Sequence, residues 1–176
     1  MQSLDPNVRL ILGLGNPGRE YALTYHNAGS LFVEHLADIQ DASPFRERPQ
    51  FAYTRFGRYI LATSRMFMNE SGSAARAALS FFKLQPHALC IAHDEGDLLL
   101  GSFKYSVGRG AAGHNGVRSV IAAIGTPAFA RVRLGIRSRP GKTGSFVLRP
   151  MSRTDREKLY SAFASASTMF TVKDTP

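Results

Sequence analysis

Between Leu98 and Thr154 the chain has no aspartate or glutamate, yet the same stretch carries Lys104, Arg109, Arg118, Arg131, Arg133, Arg137, Arg139, Lys142, Arg149 and Arg153. The formal net charge is +9, and in this stretch nothing local balances it. Arginine predominates, and its planar fork suits phosphate oxygens. A polyanionic partner is therefore expected, with nucleic acid ahead of anionic lipid because no basic amphipathic helix stands out. The plain alternative is a basic surface that serves only solubility. Cysteine is almost absent too. Cys90 is the single one, which excludes an internal disulfide and is compatible with a reducing compartment. It lies in the apolar run from Ala88 to Ala92 and reads as core filler, not as a nucleophile. No run approaches the roughly 18 apolar residues of a membrane span, and the opening MQSLDPNVRL has no apolar core of a secretory signal. Repeats, low-complexity tracts and linker-like stretches are missing as well, so residues 1–176 are read as one domain.

What is present is an alternation of strand and helix patterns. Val8–Leu14 is a short, nearly continuous apolar run ending in glycines, as a buried parallel strand requires. Ala28, Phe32, Leu36 and Ile39 share one helical face. Phe51–Phe56 and Tyr59–Ser64 flank Gly57-Arg58 as a hairpin. Ala75, Ala78, Leu79 and Phe82 mark a second helix closed off by Pro86. Leu89–His93 reads as another buried strand and Ser102–Val107 as a more exposed one. Val117, Val120, Ile121 and Ile124 give a third helix, ended by Gly125. Arg131–Ile136 reads as a strand with a basic face. Thr154-Asp-Arg-Glu157 resembles a capping box opening a last helix, with Leu159, Phe163, Ala166 and Phe170 on one side. The expected fold is α/β: one three-layer domain with a mixed, mostly parallel sheet flanked by helices. Sites in such folds form at the carboxyl ends of the strands.

Gly13-Leu-Gly-Asn-Pro-Gly18 has the letters of a dinucleotide-binding turn. That site needs a helix to begin at once, but Pro17 intervenes and no amphipathic pattern starts until about Asn27. The glycines are read instead as shaping a tight loop that presents Asn16. His26 follows in a polar loop and can take and return a proton near neutral pH. His93-Asp94-Glu95-Gly-Asp97 comes after a buried strand, where a carboxylate can accept a hydrogen bond from an imidazole and fix its tautomer. A turn with solvated acids is the plain reading of the same residues. A metal site is disfavoured because His93 and Asp94 point to opposite faces of a strand and no ligand-spaced motif accompanies them. Asn16, Asn69 and Asn115 stand after the first strand and before the second and third helices. Capping is the ordinary role of the last two, although an uncharged amide also suits holding an ester carbonyl or a peptide backbone.

Taken in order, Gly13-Leu-Gly-Asn-Pro-Gly18, Tyr21 and His26-Asn-Ala-Gly29 closely resemble the opening signature of the bacterial-type peptidyl-tRNA hydrolase family. Phe67-Met68-Asn69-Glu-Ser-Gly72, His93-Asp94-Glu95-Gly-Asp97 and Gly113-His-Asn-Gly116 are similar to its further signatures, with weaker matches at Arg133-Leu-Gly-Ile136 and Phe146-Val-Leu148. The resemblance runs from about Leu10 to Leu148. It implies hydrolysis of the ester joining a peptide to tRNA, with His26 as general base and Asp94 stabilising its reactive form. It implies that Asn16 helps to distinguish a blocked peptidyl group from a free aminoacyl group. Asn69 and Asn115 would hold the peptide and the tRNA 3′ end, and Tyr21, Phe67 and Met68 would line the groove. Lys104 and Arg133 match phosphate contacts, and Arg109 is assigned with them. A cytoplasmic monomer needing no metal, cofactor or obligate protein partner is implied, a mitochondrial home being the alternative.

The chain departs from the family pattern at four places. Ser106 stands where the family has a second lysine, which leaves the phosphate contact one cation short. Gly96 and Leu99-Leu100 replace a leucine and a Pro-Pro pair, and the glycine-histidine-rich loop reads Arg109-Gly-Ala-Ala112. The tail stops early, so a shortened C-terminal lid helix is expected. None of these touches His26, Asp94 or the three asparagines. Two rivals remain open on the sequence: an RNA-binding module that keeps the fold without hydrolysis, and a metal-dependent hydrolase.

Overall fold

Residues 4–138 and 145–170 are described by a computed structural model; Arg139 and Lys142 of the basic stretch lie outside them. Among the described residues seven strands form one sheet in the order β2-β3-β4-β1-β5-β7-β6. They are β1 (Leu10–Gly13), β2 (Arg46–Glu47), β3 (Phe51–Phe56), β4 (Tyr59–Ser64), β5 (Leu89–Leu99), β6 (Phe103–Val107) and β7 (Ala130–Arg137). The neighbours β4, β1, β5 and β7 run parallel, and antiparallel strands complete both edges. The mixed sheet is thus as expected, with the parallel part at its centre.

Among the same residues four α-helices cover it: α1 (Ala28–Ile39), α2 (Ser71–Phe82), α3 (Asn115–Ile124) and α4 (Arg153–Ser167). Because side chains alternate along a strand, each central strand serves two cores. Ile11, Cys90, Ala92, Val132 and Leu134 turn toward α1 and α4, where Phe32, Leu36, Leu159, Phe163 and Ala166 meet them. Leu10, Leu12, Leu89 and Ile91 turn the other way, against Ala75, Ala78, Leu79, Val117 and Val120 of α2 and α3. That double burial explains why these strands read as continuous apolar runs.

Several element ends fall elsewhere than expected, each for a local reason. Helix α2 stops at Lys83, whose left-handed backbone (φ 55°) caps it, three positions before Pro86 opens a short 3-10 turn. Ile39 ends α1 exposed, not buried. Helix α4 is capped by Ser152, whose hydroxyl accepts the Asp155 N–H at 3.1 Å, so the cap lies two residues before Thr154. Strand β5 runs on to Leu99, so His93-Asp94-Glu95-Gly-Asp97 is strand and not a turn after it. It stays extended because β7 pairs with it as far as Glu95, beyond which the register shifts. The basic face expected of β7 is not a solvent face either. Arg131 is fully buried, with its guanidinium donating to the Gly110 carbonyl at 3.0 Å.

One close approach brings the functional end together. A Cβ on Gly29 would lie 2.1 Å from the Ala92 carbonyl oxygen, and one on Gly13 2.4 Å from that of Gly29. Only bare backbone lets the start of α1 sit on the ends of β1 and β5. The contact is sealed by Leu14 N–H donating to Ala92 O and Ser30 N–H donating to Leu14 O, both at 3.0 Å. The first glycine of the nucleotide-like motif is therefore used for packing. No helix follows β1 until the 3-10 turn at Tyr25–Asn27.

Candidate active site

The second half of β5, the turn that carries His26 and the start of α3 border a cavity of about 320 Å³, lined among others by His26, Asp94, His114, Asn115 and Val147. Asp94, 4% exposed, is its hub. The His26 Nδ1–H donates to both carboxylate oxygens, at 2.9 and 3.0 Å. That leaves Nε2 with the lone pair, as a base requires. His114 donates to the same carboxylate from Nε2, at 2.8 Å to Oδ1. Its tautomer is set from the other side, since His114 Nδ1 accepts the backbone N–H groups of Gly116 and Val117 at 3.1 and 3.2 Å. His114 is thus the N-cap of α3 and a donor to Asp94 at once. Burial alone would raise the Asp94 carboxyl, but His114 and then His26 outweigh it and hold it well below the usual carboxylate range.

A third histidine backs this pair. His93 is 1% exposed and donates Nδ1–H to the Asp94 carbonyl at 2.7 Å. Its ring stands edge-on to His114, centroids 4.8 Å apart. Burial, then the neighbouring His114, push its basicity well below the ordinary histidine range. His93 and Asp94 both meet His114, one by its ring and the other by its carboxylate, but His93 is not among the residues whose ligand atoms come together. The metal question shifts instead to His26, Asp94 and His114, whose ligand atoms lie within 4.8 Å of one another. His114 fits an ion poorly there, because its Nε2 carries the proton while Nδ1 caps α3. A metal at Nε2 would have to displace that proton and break the cap.

Asn16 lies on the loop after β1, gripped by Asn27. The Asn16 N–H donates to Asn27 Oδ1 at 2.8 Å, and Asn27 Nδ2 returns a bond to the Asn16 carbonyl at 3.0 Å. Asn16 Oδ1 accepts the Met68 N–H at 2.7 Å, so the side chain's open groups are the Nδ2 donors. Met68 itself is buried against the bare Gly116, so its side chain supports the site from beneath instead of lining the groove. Phe67 is 50% exposed and meets Tyr21 edge-to-face at 6.4 Å.

Asn69 and Asn115 do not cap their helices, contrary to the ordinary expectation. Glu70 occupies the cap position of α2 and His114 that of α3. Both amides are exposed. They line a second, open groove of about 500 Å³ with Arg118 and Ser119. Asn115 borders both this groove and the His26 cavity.

The basic residues divide. Lys104 and Arg109 are exposed, and Lys104 lies opposite Arg133 in the β6–β7 register. Arg133 is mostly buried, its Nε donating to Glu95 Oε2 at 2.9 Å. Ser106 is buried opposite Arg131. A lysine there would set a second cation beside a buried one, which burial and then Arg133 already disfavour.

The sequence singles out neither His114 nor Asn27, and Arg118 stands out in it only as one of the basic residues between Leu98 and Thr154. His114 and Asn27 lie within Gly113-His-Asn-Gly116 and His26-Asn-Ala-Gly29, which is a signal, but nothing in the spacing ties them to Asp94 or Asn16.

Comparison with known proteins places the sequence and the fold in one family. The model of the family described as "Peptidyl-tRNA hydrolase" matches residues 10–173. A peptidyl-tRNA hydrolase of Sorangium cellulosum is 42% identical over 158 residues, covering 85% of this chain and 71% of that protein. One from Pseudomonas fluorescens is 43% identical over 163 residues, 86% of this chain and 82% of its own. The crystal structure of peptidyl-tRNA hydrolase from Acinetobacter baumannii superposes with a TM-score of 0.85 at 34% identity, covering 95% of this chain and 88% of that one. The chain belongs to the peptidyl-tRNA hydrolase family.

Proposed function

We propose that this chain hydrolyses the ester between the C-terminal carbonyl of a peptide and the ribose of tRNA. The observation that carries this reading is the His26–Asp94–His114 constellation in a cavity that Asn115 joins to the groove lined by Asn69. His26 Nε2 takes a proton from water as the water oxygen attacks the carbonyl carbon. Asp94 holds the imidazole and stabilises the cation that forms. The tetrahedral oxyanion is met by Asn69 and its neighbouring backbone. The carbon–oxygen bond to the ribose then breaks, the proton passes to the leaving oxygen, and a free peptide acid and tRNA result.

Asn16, with only its Nδ2 donors open, is suited to a peptide carbonyl, a group that an unblocked aminoacyl ester lacks. Tyr21 and Phe67 offer apolar surface to the peptide, and Met68 holds Asn16 through its backbone N–H. Asn115, at the junction of cavity and groove, is assigned to the tRNA 3′ end. Lys104, Arg109 and Arg133 are assigned to tRNA phosphates, with Arg133 steadied by Glu95. We further propose that residues 1–176 act as one cytoplasmic domain, a monomer without metal or cofactor. No helix among the described residues is long and apolar enough to cross a membrane.

Incubation with N-blocked aminoacyl-tRNA tests the reading. Wild type should release free tRNA with or without a chelator. His26→Ala should be slower by at least about 100-fold, the low end of general-base catalysis. Tight tRNA binding without release by wild type would favour the RNA-binding module, and loss on chelation the metal enzyme.

A further inference from the structure

We propose that Tyr25 and Asp155 form a latch through which the C-terminal helix positions His26, making both of them positioning residues of the reaction. The inference rests on the function proposed above. Tyr25 precedes His26 in the 3-10 turn Tyr25–Asn27 and is 8% exposed. Its hydroxyl donates to the Asp155 carboxylate, 130 residues away in the first turn of α4. Asp155 is itself held, its N–H donating to the Ser152 hydroxyl.

The turn needs outside support. Three residues of 3-10 helix hold few bonds of their own, and Thr24 provides no side-chain cap. Asn27 is tied to Asn16 and α1 continues the turn, and at the Tyr25 end support comes from the segment before α4. Met151 N–H donates to Leu23 O at 2.9 Å, Thr24 bridges to Pro150, and the Tyr25 ring meets Phe146 edge-to-face at 5.2 Å. On the opposite side His26 is held by Asp94. The imidazole is thus gripped between β5 and the approach to α4. Burial, then the hydrogen bond and charge of Asp155, push the Tyr25 phenol up to about 12, so it remains a donor at working pH.

Neither Tyr25 nor Asp155 lines the cavity, so removing the bond should turn the imidazole without touching substrate. Turnover should fall while KM holds, because small misplacements of a catalytic group cost rate before binding.

The experiment is steady-state hydrolysis of N-blocked aminoacyl-tRNA, well below each variant's melting temperature, together with the ¹⁵N spectrum of the His26 ring. Tyr25→Phe and Asp155→Ala should each lower kcat by about 3- to 10-fold with KM within about twofold, an effect of modest misplacement. The double variant should be no slower than either single one. Asp155→Asn, which keeps an acceptor oxygen, should retain most of the activity. Unchanged kcat in folded Tyr25→Phe, a change in KM alone, or multiplying effects in the double variant would overturn the latch. Should wild type release no tRNA, the functional reading fails on its own. The ring spectrum then decides the latch: a shift in Tyr25→Phe supports it, and an unchanged spectrum overturns it.

Discussion

Asp94→Asn changes one buried group and leaves its shape intact. In wild type the carboxylate accepts N–H from His26 at both oxygens, 2.9 and 3.0 Å, and from His114 at 2.8 Å. The acceptor nearest both histidines is Oδ1, so an asparagine keeps its amide oxygen there and places an NH₂ at Oδ2. That NH₂ would then face the His26 Nδ1–H, donor against donor. The clash is relieved if His26 shifts its proton to Nε2 and accepts from the amide at Nδ1. The ring then presents a proton to water where a lone pair is needed. The same substitution in a serine-protease triad costs about 10⁴-fold in kcat through the wrong tautomer. General-base catalysis as a whole contributes about 10² to 10⁴-fold. A loss in that range, about 3 to 5 kcal/mol of barrier at 1.36 kcal/mol per tenfold, is expected. The assay is release of tRNA from N-blocked aminoacyl-tRNA under saturating substrate, with thermal melting to confirm folding. A folded Asp94→Asn protein within about fivefold of wild type would refute the assignment of Asp94, because catalysis by an oriented His26 requires far more.

The same carboxylate makes a stability prediction. Its folded value lies below the ordinary one, so its contribution is present above the ordinary carboxylate pKa of about 4 and is lost only as pH falls through the lower folded value. The melting-temperature gap between wild type and Asp94→Asn should therefore be full at neutral pH and shrink below about pH 4; a gap that widens in acid would contradict the shift. Gly29→Ala should destabilise by about 1–3 kcal/mol, since its Cβ would meet the Ala92 carbonyl at 2.1 Å. Urea titration measures this, and an unchanged midpoint would mean that α1 can move off β5 without cost. Cys90 is fully buried and its thiol is pushed up to about 12 by burial. An alkylating reagent at pH 8 should leave it unlabelled by mass spectrometry until the protein is unfolded.

Much of the frame was legible in local pattern. The hairpin of β3 and β4 closes at Gly57, whose φ of 51° suits the turn. Phe32 and Leu36 face the core at the spacing read for α1, and Leu159, Phe163, Ala166 and Phe170 are all buried together. Local pattern offers His26 and a carboxylate among residues 93–97, the family resemblance implies Asp94 among them, and His26 and Asp94 do meet. Less legible were strand ends and the accessibility of charge. Nothing local in His93-Asp94-Glu95-Gly-Asp97 says that β7 will keep it extended. Nor does Arg131 announce that the loop around Gly110 will cover it, since alternation gives the face of a side chain but not what lies over that face.

The sequence by itself determined which side chains turn inward, because periodicity and turn chemistry act over a few residues. It also carried the ordered motifs that mark the family. Tertiary structure alone decided who meets whom. Asp94 receives His26 from 68 residues away, His114 from 20, and Tyr25 reaches Asp155 across 130. Those pairings follow from β5 lying beside β1, α1 resting on bare glycine, and α3 beginning above the end of β5. Sheet order and packing set these distances, and both are collective outcomes of two cores closing on one sheet.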